Sequence, residues 1–349
     1  MQIGLLMLAG PGTAREIAER TEAAGFAHLA FGDTQNIGPE AWGQLLLAAS
    51  ASSTLRLGTG VTNPVTRDAA VTASAALALQ IESGGRAFCG LGRGDSALAK
   101  IGRRPERVDE FERYVTRLRG YLAGESVDRD STKSRIEFSM PSDLPRVPVE
   151  IAATGPRVSD LAARCADAII FCLGADPAVL GPAIRSARDI ARAAGRDPDS
   201  LRVGAFVNCV LDDDLGKARS IARGGVSVFA RFAGWSDRAA APRSEALAAA
   251  AEVLGKTYEM DHHAQAENSG ARGLDDDFLD QFAVLGSAAD VAGRFQALAE
   301  IGLDFVTIAP GSSDMTWEEG WHSIERIGRE VIPQVRSASP TRRSIQRPD

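Results

Sequence analysis

The chain has 349 residues, of which 44% are hydrophobic and 24% charged, and its formal net charge is −7. This composition is typical of a globular protein, and the length suits one α/β barrel with insertions. The negative charge argues against general nucleic-acid binding, and no apolar run approaches the roughly 20 residues that span a bilayer. The N-terminus enters a strand-like segment without a basic leader, so the sequence predicts a cytoplasmic protein.

The cysteines and histidines predict neither a disulfide framework nor a metal site. Four cysteines lie far apart in apolar segments, at Cys89, Cys165, Cys172 and Cys209. This distribution is typical of reduced, buried thiols. His262 and His263 are adjacent and point in different directions on a helix, and no second ligand pair is near them in the sequence.

Strand-like and helix-like segments alternate along nearly the whole chain. The predicted strands are Ile3–Leu8, His28–Phe31, a third containing Leu55 and Leu57, Ala87–Leu91, Pro148–Ala153, Ala168–Leu173, Val203–Leu211 and Phe305–Ala309. The predicted helices are Ala14–Ala24, Glu40–Ala51, Asp68–Glu82, Glu106–Leu122, Pro156–Ala166, Pro177–Ala194, Ser244–Leu254 and Trp317–Val331. Gly124–Pro148 is polar and predicts a hairpin or an extended excursion. Eight such strands predict a (β/α)8 TIM barrel, with a doubly wound open sheet as the alternative because periodicity does not show closure.

The interval between the seventh and eighth strands is too long for one helix and a loop. About 90 residues separate Leu211 from Gly302. We therefore predict a helical insertion, Arg231–Phe282, that covers the barrel mouth. Residues 1–335 are expected to form one domain, and the basic, polar residues 336–349 a disordered tail.

Active sites of such barrels lie at the C-terminal ends of the strands. This rule selects five segments, which are Asp33-Thr34, Gly60–Asn63, Gly92–Ser96, Thr154–Arg157 and Gly174-Ala175-Asp176. Three of the five are rich in glycine and small residues. Such ends leave room for a flat ring system that lies against the backbone.

The turn after the fourth strand predicts a phosphate site. Its alternating glycines do not form a dinucleotide fingerprint, which belongs to a first βα unit with wider glycine spacing. Arg93 and the N–H groups around Gly94, Asp95 and Ser96 are suited to holding a phosphate. A tight turn that carries a surface arginine is the alternative.

A second anion site is predicted after the fifth strand. Pro156 suits the first position of a helix, and Thr154 or Gly155 suits the cap. The free N–H groups of such a helix start point outward at the strand end, and Arg157 adds positive charge.

Three motifs, taken in order and spacing, resemble those of one family. GTGVTNPVTR follows the third strand, GLGRGDSALAKIG the fourth and AATGPR the fifth, and FVTIAPGSSD looks like the last strand of that family. The chain is similar to the bacterial-luciferase-like proteins, in particular to coenzyme F420-dependent members related to methylenetetrahydromethanopterin reductase. The resemblance extends from Met1 to about Val335.

The resemblance implies a coenzyme F420-dependent oxidoreductase that moves a hydride between C5 of the deazaflavin and a small organic substrate. An FMN-dependent monooxygenase, supplied with reduced flavin by a partner reductase, is the first alternative. A barrel that binds flavin or deazaflavin without turnover is the second. No metal is implied.

The resemblance also implies roles for individual residues. In such proteins the cofactor ring packs against a non-proline cis peptide after the third strand, which matches Gly60–Val61 here, and a larger residue at position 60 is expected to damage cofactor binding more than folding. Asp33 matches a polar residue near the ring and is the candidate catalytic proton donor or acceptor. The expected cofactor-binding residues are Gly60, Val61, Thr62, Asn63, Arg93, Gly94, Asp95, Ser96, Thr154, Gly155, Pro156, Arg157 and Gly174. The expected substrate contacts, in the insertion, are Trp235, Tyr258 and His263.

Positive charges directly after the glycine turn favour the deazaflavin over FMN. Lys100, Arg103, Arg104 and Arg107 place four cations within eight residues of an acidic protein. A solvated helix start also explains them. The deazaflavin coenzyme, however, carries an acidic oligoglutamate tail that FMN lacks, and a basic strip would attract this tail.

The early helices predict self-association. Glu40–Ala51 and Asp68–Glu82 are rich in alanine and leucine and carry few charges. Such faces are commonly buried against a twofold copy, and relatives usually form dimers through these helices. We therefore expect a homodimer.

Overall fold

The computed structural model describes residues 1–234 and 244–338, and eight parallel strands within them close into a barrel. The barrel strands are β1 (Gln2–Met7), β2 (His28–Phe31), β3 (Arg56–Thr59), β4 (Ala87–Leu91), β5 (Val149–Ala153), β6 (Ala168–Phe171), β7 (Arg202–Leu211) and β8 (Phe305–Ala309). Each strand pairs with its sequence neighbours, and β8 pairs with β1 to complete the ring. The barrel prediction is therefore confirmed, and the open sheet is excluded. Three predicted strands have the observed bounds, and the other complete ranges differ by at most two residues at either end.

Helices surround the barrel and form the connections between its strands. They are α1 (Ala14–Ala23), α2 (Ala41–Ser50), α3 (Ala69–Glu82), α4 (Ser96–Ala99), α5 (Val108–Leu122), α6 (Pro156–Cys165), α7 (Pro177–Ala193), α8 (Leu215–Gly234), α9 (Glu245–Thr257), α10 (Ser269–Arg272), α11 (Asp276–Phe282), α12 (Ala288–Glu300), α13 (Trp317–Arg326) and α14 (Ile332–Ala338). A π-helical turn, Ile327–Val331, joins the last two. The predicted helix Trp317–Val331 thus continues to Ala338. The predicted tail, residues 336–349, therefore begins inside a helix. Its residues 339–349 lie outside the described residues.

The polar excursion between α5 and β5 contains a small hairpin, as predicted. Val127–Asp128 pairs antiparallel with Lys133–Ser134. Asp130 in the turn has a left-handed backbone conformation with a φ of 67°. Aspartate tolerates this conformation better than most residues. This hairpin lies outside the barrel ring.

The region between β7 and β8 is mostly helical. α8 is one continuous helix, so the predicted start of the insertion at Arg231 falls inside its last turn. The α9 helix follows the undescribed residues 235–243, and we call α8, α9 and the loop Tyr258–Asn268 the cap. A further short strand, Val284–Gly286, pairs with β7 outside the barrel ring and was not predicted.

The lower part of the barrel interior is filled by three rings opposite three glycines. A Cβ would lie 2.0 Å from the His28 ring at Gly4, 2.5 Å from the Phe88 ring at Gly58 and 2.3 Å from the Phe305 ring at Gly204. His28 packs edge-on against both phenylalanines and shares a hydrogen bond with Thr307 at 2.7 Å. The barrel is therefore a packed core at this level, as expected for a barrel of this kind.

Three of the four cysteines are buried as predicted. Cys89, Cys172 and Cys209 are buried, as predicted, whereas Cys165 is half-buried. Within residues 1–234 and 244–338, no helix has both the length and the apolar character required to cross a membrane.

Candidate active site

Asp33, the predicted catalytic residue, lies just after the end of β2, and its carboxylate accepts hydrogen bonds from three side chains. The Thr62 hydroxyl donates to Oδ2 at 2.6 Å, the Gln35 amide donates to Oδ1 at 2.8 Å, and Arg67 Nε donates to Oδ2 at 3.2 Å. Asp33 is only 2% exposed. It accepts a hydrogen bond in all three contacts, and these contacts fix the orientation of its carboxyl group.

Arg67 is a site residue for which sequence analysis assigned no role. Its guanidinium bridges Asp33 and Glu40. Glu40 in turn caps α2 by accepting hydrogen bonds from the N–H groups of Trp42 and Gly43. Arg67 belongs to the motif GTGVTNPVTR, but its partners lie 27 and 34 residues away, so no local signal identifies them.

The segment after β3 has the predicted backbone. The Gly60–Val61 peptide bond is cis. A Cβ at Gly60 would lie 2.7 Å from Leu6 Cδ1 and 2.9 Å from Ala30 Cβ. A larger residue at position 60 would therefore disturb the barrel core as well as the strand end. The Val61 side chain is half-buried and packs against the upper interior of the barrel.

Asn63 holds the turn that leads from β3 toward α3. Its Oδ1 accepts hydrogen bonds from the backbone N–H groups of Val65 and Thr66, both at 3.1 Å. Asn63 is 2% exposed. This side-chain oxygen therefore has a role in the turn itself, besides the cofactor contact that the sequence predicted.

The turn after β4 is closed by Arg93. Its Nε donates to the carbonyl oxygen of Glu106 at 2.5 Å, and the N–H of Glu106 donates to the carbonyl of Arg93 at 2.9 Å. Gly94 has a φ of 90°, a left-handed conformation that favours glycine. Ser96, which was also predicted to bind the cofactor, is 8% exposed, and its buried hydroxyl has no hydrogen-bond partner among the described residues.

Asp95 is joined to the cap by a buried ion pair. Arg231 of α8 donates to Asp95 Oδ1 at 2.5 Å, and the two side chains are 11% and 16% exposed respectively. Burial raises the pKa of Asp95, and the charge of Arg231 opposes this rise. The Arg231 guanidinium also lies over the Tyr258 ring, 4.9 Å from its centroid.

Two of the three predicted substrate contacts lie together beside this ion pair. The Tyr258 hydroxyl and His263 Nδ1 are 2.6 Å apart. Burial, followed by the charges of Arg231 and Lys100, lowers the pKa of His263 to about 4. His263 is therefore neutral at pH 7, and we assign Tyr258 as the donor to Nδ1, which leaves the ring proton on Nε2. Trp235, the third, lies outside the described residues.

The strand end after β5 is the start of α6, as predicted. Pro156 is the first helical residue, and the N-cap is Gly155, which has no side chain to satisfy the free N–H groups of the first turn. Thr154 is half-buried and Arg157 is exposed. Pro156 and Arg157 line a cleft of about 360 Å³ between α5 and α6. The side of the barrel that holds β4 and β5 thus carries both predicted anion-binding segments.

The strand end after β6 has mainly packing contacts. Gly174 has a φ of 79°, and a Cβ there would lie 2.6 Å from the Phe282 ring of α11. Asp176 caps α7 by accepting from the N–H of Ala178 and also accepts a hydrogen bond from Gln281. These contacts connect the strand end to the helix that precedes the short outer strand.

The basic strip divides into one half-buried and three exposed residues. Lys100 lies 3.7 Å from Asp261 of the cap. Arg103, Arg104 and Arg107 are exposed, and Arg107 pairs with Asp109 at 2.8 Å. Over the part of the chain that the structure describes, no group of three or more histidine, cysteine, aspartate and glutamate side chains could hold a metal ion.

Comparison with known proteins identifies relatives over most of the chain. It is 31% identical over 320 residues to 5,10-methylenetetrahydromethanopterin reductase of Methanolobus tindarius, with 90% of this chain and 94% of that protein covered. It is 31% identical over 219 residues to an F420-dependent hydroxymycolic acid dehydrogenase of Mycobacterium tuberculosis, with 58% and 60% covered.

A solved structure shares the fold. The coenzyme F420-dependent tetrahydromethanopterin reductase of Methanopyrus kandleri superimposes with a TM-score of 0.74 at 24% identity, over 96% of this chain and 99% of that one. The family model described as luciferase-like monooxygenase matches residues 4–304. The chain therefore belongs to the luciferase-like monooxygenase family, in agreement with the resemblance seen in its motifs.

Proposed function

We propose that the protein is a coenzyme F420-dependent oxidoreductase that transfers a hydride between the deazaflavin and a small organic substrate. The observation that carries this proposal is the 31% identity, over nearly the full length of both chains, to a methylenetetrahydromethanopterin reductase. The second relative is an F420-dependent dehydrogenase. We further propose that the protein acts in the cytoplasm, because three buried, unpaired thiols suit a reducing compartment.

The described residues suit a planar cofactor with an anionic side chain. The buried hydroxyl of Ser96 has no hydrogen-bond partner in the described part of the chain, and leaving such a group without a partner costs free energy. A phosphate oxygen that accepted a hydrogen bond from this hydroxyl would remove that cost. We assign the phosphate and its linker to the segments Arg93–Ser96 and Thr154–Arg157, and Gly174 to the same rim. Val61 would supply an apolar wall for the ring.

The cofactor, when bound, supplies the carbon that gives or accepts the hydride. The protein positions the reactants. Asp33 would accept a hydrogen bond from the ring or substrate, and Thr62 and Arg67 would hold its carboxylate in place. Tyr258 and His263 of the cap, together with Trp235, are the proposed substrate contacts.

A titration of the purified protein with two cofactors tests this assignment. Coenzyme F420 and FMN are both fluorescent, so binding is followed by their emission. We expect F420 to bind at least tenfold more tightly than FMN. Preferential binding of FMN, with an organic substrate oxygenated when reduced FMN and O2 are supplied, would instead establish the monooxygenase function that the family name describes.

The exposed arginines of the basic strip should matter for the oligoglutamate tail. Replacing Arg103, Arg104 and Arg107 by alanine should weaken F420 binding about three- to tenfold at low salt, and less at 0.5 M salt, because exposed charges are screened by ions. FMN binding should change little. A matched control removes three exposed arginines elsewhere, Arg192, Arg272 and Arg329. Equal losses in both variants would show only an effect of net charge.

We also propose that the protein is a homodimer formed through α2 and α3. Their outer surfaces carry Leu46, Leu47 and Val71, which are 37%, 37% and 52% exposed. Light scattering should give about twice the chain mass of 36.8 kDa at micromolar concentration. Val71→Asp should shift the equilibrium to monomer, because a charge in an apolar interface is costly.

Leu215→Asp is the control for the dimer, since Leu215 at the start of α8 is also an exposed apolar residue, 38% exposed against 52% for Val71. It should leave the mass unchanged. A wild-type mass near 36.8 kDa would contradict the dimer.

A further inference from the structure

A negative charge lies within the turn to which we assign the anionic cofactor. Asp95 sits between Gly94 and Ser96, and its carboxylate is 16% exposed. A carboxylate and a phosphate repel each other, and this repulsion is stronger where water is largely excluded. The turn would therefore be a poor anion site if Asp95 were unpaired.

The partner of Asp95 comes from the cap and is held in place there. Arg231 lies near the end of α8, 2.5 Å from Asp95 and 11% exposed. Its guanidinium stacks on Tyr258. Tyr258 is itself hydrogen-bonded to His263. Arg231 is thus a largely buried cation whose position is set by the same side chains that we propose as substrate contacts.

We propose that Arg231 is a positioning residue for the cofactor. Arg231 neutralises Asp95 and so allows an anionic cofactor to lie against the segment Gly92–Ser96. This inference rests on the proposed function. It links the cap to cofactor binding as well as to the substrate, because the neutralising charge is provided from α8 and not from the turn itself.

Removing Arg231 should leave a buried carboxylate without its charge partner. We expect Arg231→Met to weaken F420 binding at pH 7.5 at least tenfold. The phosphate-free deazariboflavin chromophore, which also lacks the glutamate tail, should lose less than threefold. Arg231→Lys, which keeps the charge, should restore most of the affinity for F420.

The double variant separates this role from a merely structural one. Asp95→Asn/Arg231→Met removes both charges and should bind F420 within threefold of wild type. Asp95→Asn alone should bind F420 at least as tightly as wild type, because Arg231 then faces the phosphate without a competing carboxylate. Urea midpoints of all variants show whether the fold is retained, and Arg231→Lys and Asp95→Asn still test the proposal if Arg231→Met does not fold.

The pH dependence supplies an independent signature. Tyr258 of the cap faces both Asp95 and Arg231, and His263 faces Arg231 and also Lys100, whose ion-pair partner is Asp261. In Arg231→Met, Asp95 is buried without its charge partner and should take up a proton as the pH falls. F420 affinity of this variant should therefore improve between pH 8 and pH 5, relative to Asp95→Asn/Arg231→Met as the reference.

Several results would overturn the inference. These are unchanged F420 binding in Arg231→Met, a double variant as weak as Arg231→Met, an equal loss for the phosphate-free chromophore, or a tenfold loss in Asp95→Asn. If the wild-type protein does not bind F420 at all, the proposed function itself fails. Failure of the two claims is therefore distinguishable.

Discussion

Replacing Gly90 with alanine should destabilise the barrel by more than about 3 kcal/mol, because no side chain can be accommodated there. A Cβ at Gly90 would lie 2.0 Å from the carbonyl oxygen of Thr59. That oxygen belongs to the backbone of β3, so β3 and β4 would have to separate. The carbonyl of Gly90 also accepts hydrogen bonds from the Thr59 hydroxyl and from the N–H of Thr62, and these contacts would be strained as well.

Urea unfolding of Gly90→Ala measures this loss. The control is Gly293→Ala in α12, where a Cβ would meet no atom within 4 Å. Alanine at an exposed helical position is favoured over glycine by up to about 1 kcal/mol, so the control should be slightly more stable than wild type. A Gly90→Ala protein within about 1 kcal/mol of wild type would contradict the packing described for β3 and β4.

Acidification from pH 7 to pH 4 should destabilise the protein by several kcal/mol, and His28 should account for a large part of it. Burial, followed by the charges of Arg56 and Arg202, lowers the pKa of His28 from 6.5 to about 3 in the folded protein. The unfolded chain therefore binds a proton below pH 6.5 that the folded protein does not. Stability from neutral His28 is present above pH 6.5 and is lost as the pH falls toward 3, by on the order of 3 kcal/mol at pH 4.

The slope of stability against pH identifies the residue. His28→Gln removes the titrating group from the barrel interior, so its free energy of unfolding should fall less steeply between pH 7 and pH 4, although its stability at pH 7 is lower. His263→Gln should also make this fall less steep, because burial lowers the pKa of His263 to about 4. The two variants together therefore measure the share of each histidine. An unchanged slope in His28→Gln would show that other groups dominate the acid response.

The strands were predictable because their signals are local. Segments such as His28–Phe31 and Ala87–Leu91 are short apolar runs that end in glycine turns, and their observed bounds match the prediction. The Gly60–Val61 cis bond was predictable only through the family resemblance of the surrounding motif. The strand Val284–Gly286 was missed because three residues give too little periodicity to distinguish a strand from a loop.

Contacts between distant segments were beyond the sequence. Arg231 and Asp95 are 136 residues apart, and neither has a local pattern that requires the other. Arg93 was predicted as a phosphate ligand, and its bond to the Glu106 carbonyl depends on the path of the loop between them. Only the folded chain shows which of the many arginines of this protein pair with which carboxylates.

The pairing of β1 with β8 has a consequence for the way the protein is made. Gln2 lies opposite Phe305, so the ring cannot close on the ribosome until β8 has left the exit tunnel. For most of its synthesis the nascent chain presents two unpaired strand edges, which are prone to aggregation. Messages truncated before Phe305 should therefore yield products that chaperones and proteases remove, and a slow, late closing step should limit the yield of active protein when expression is rapid.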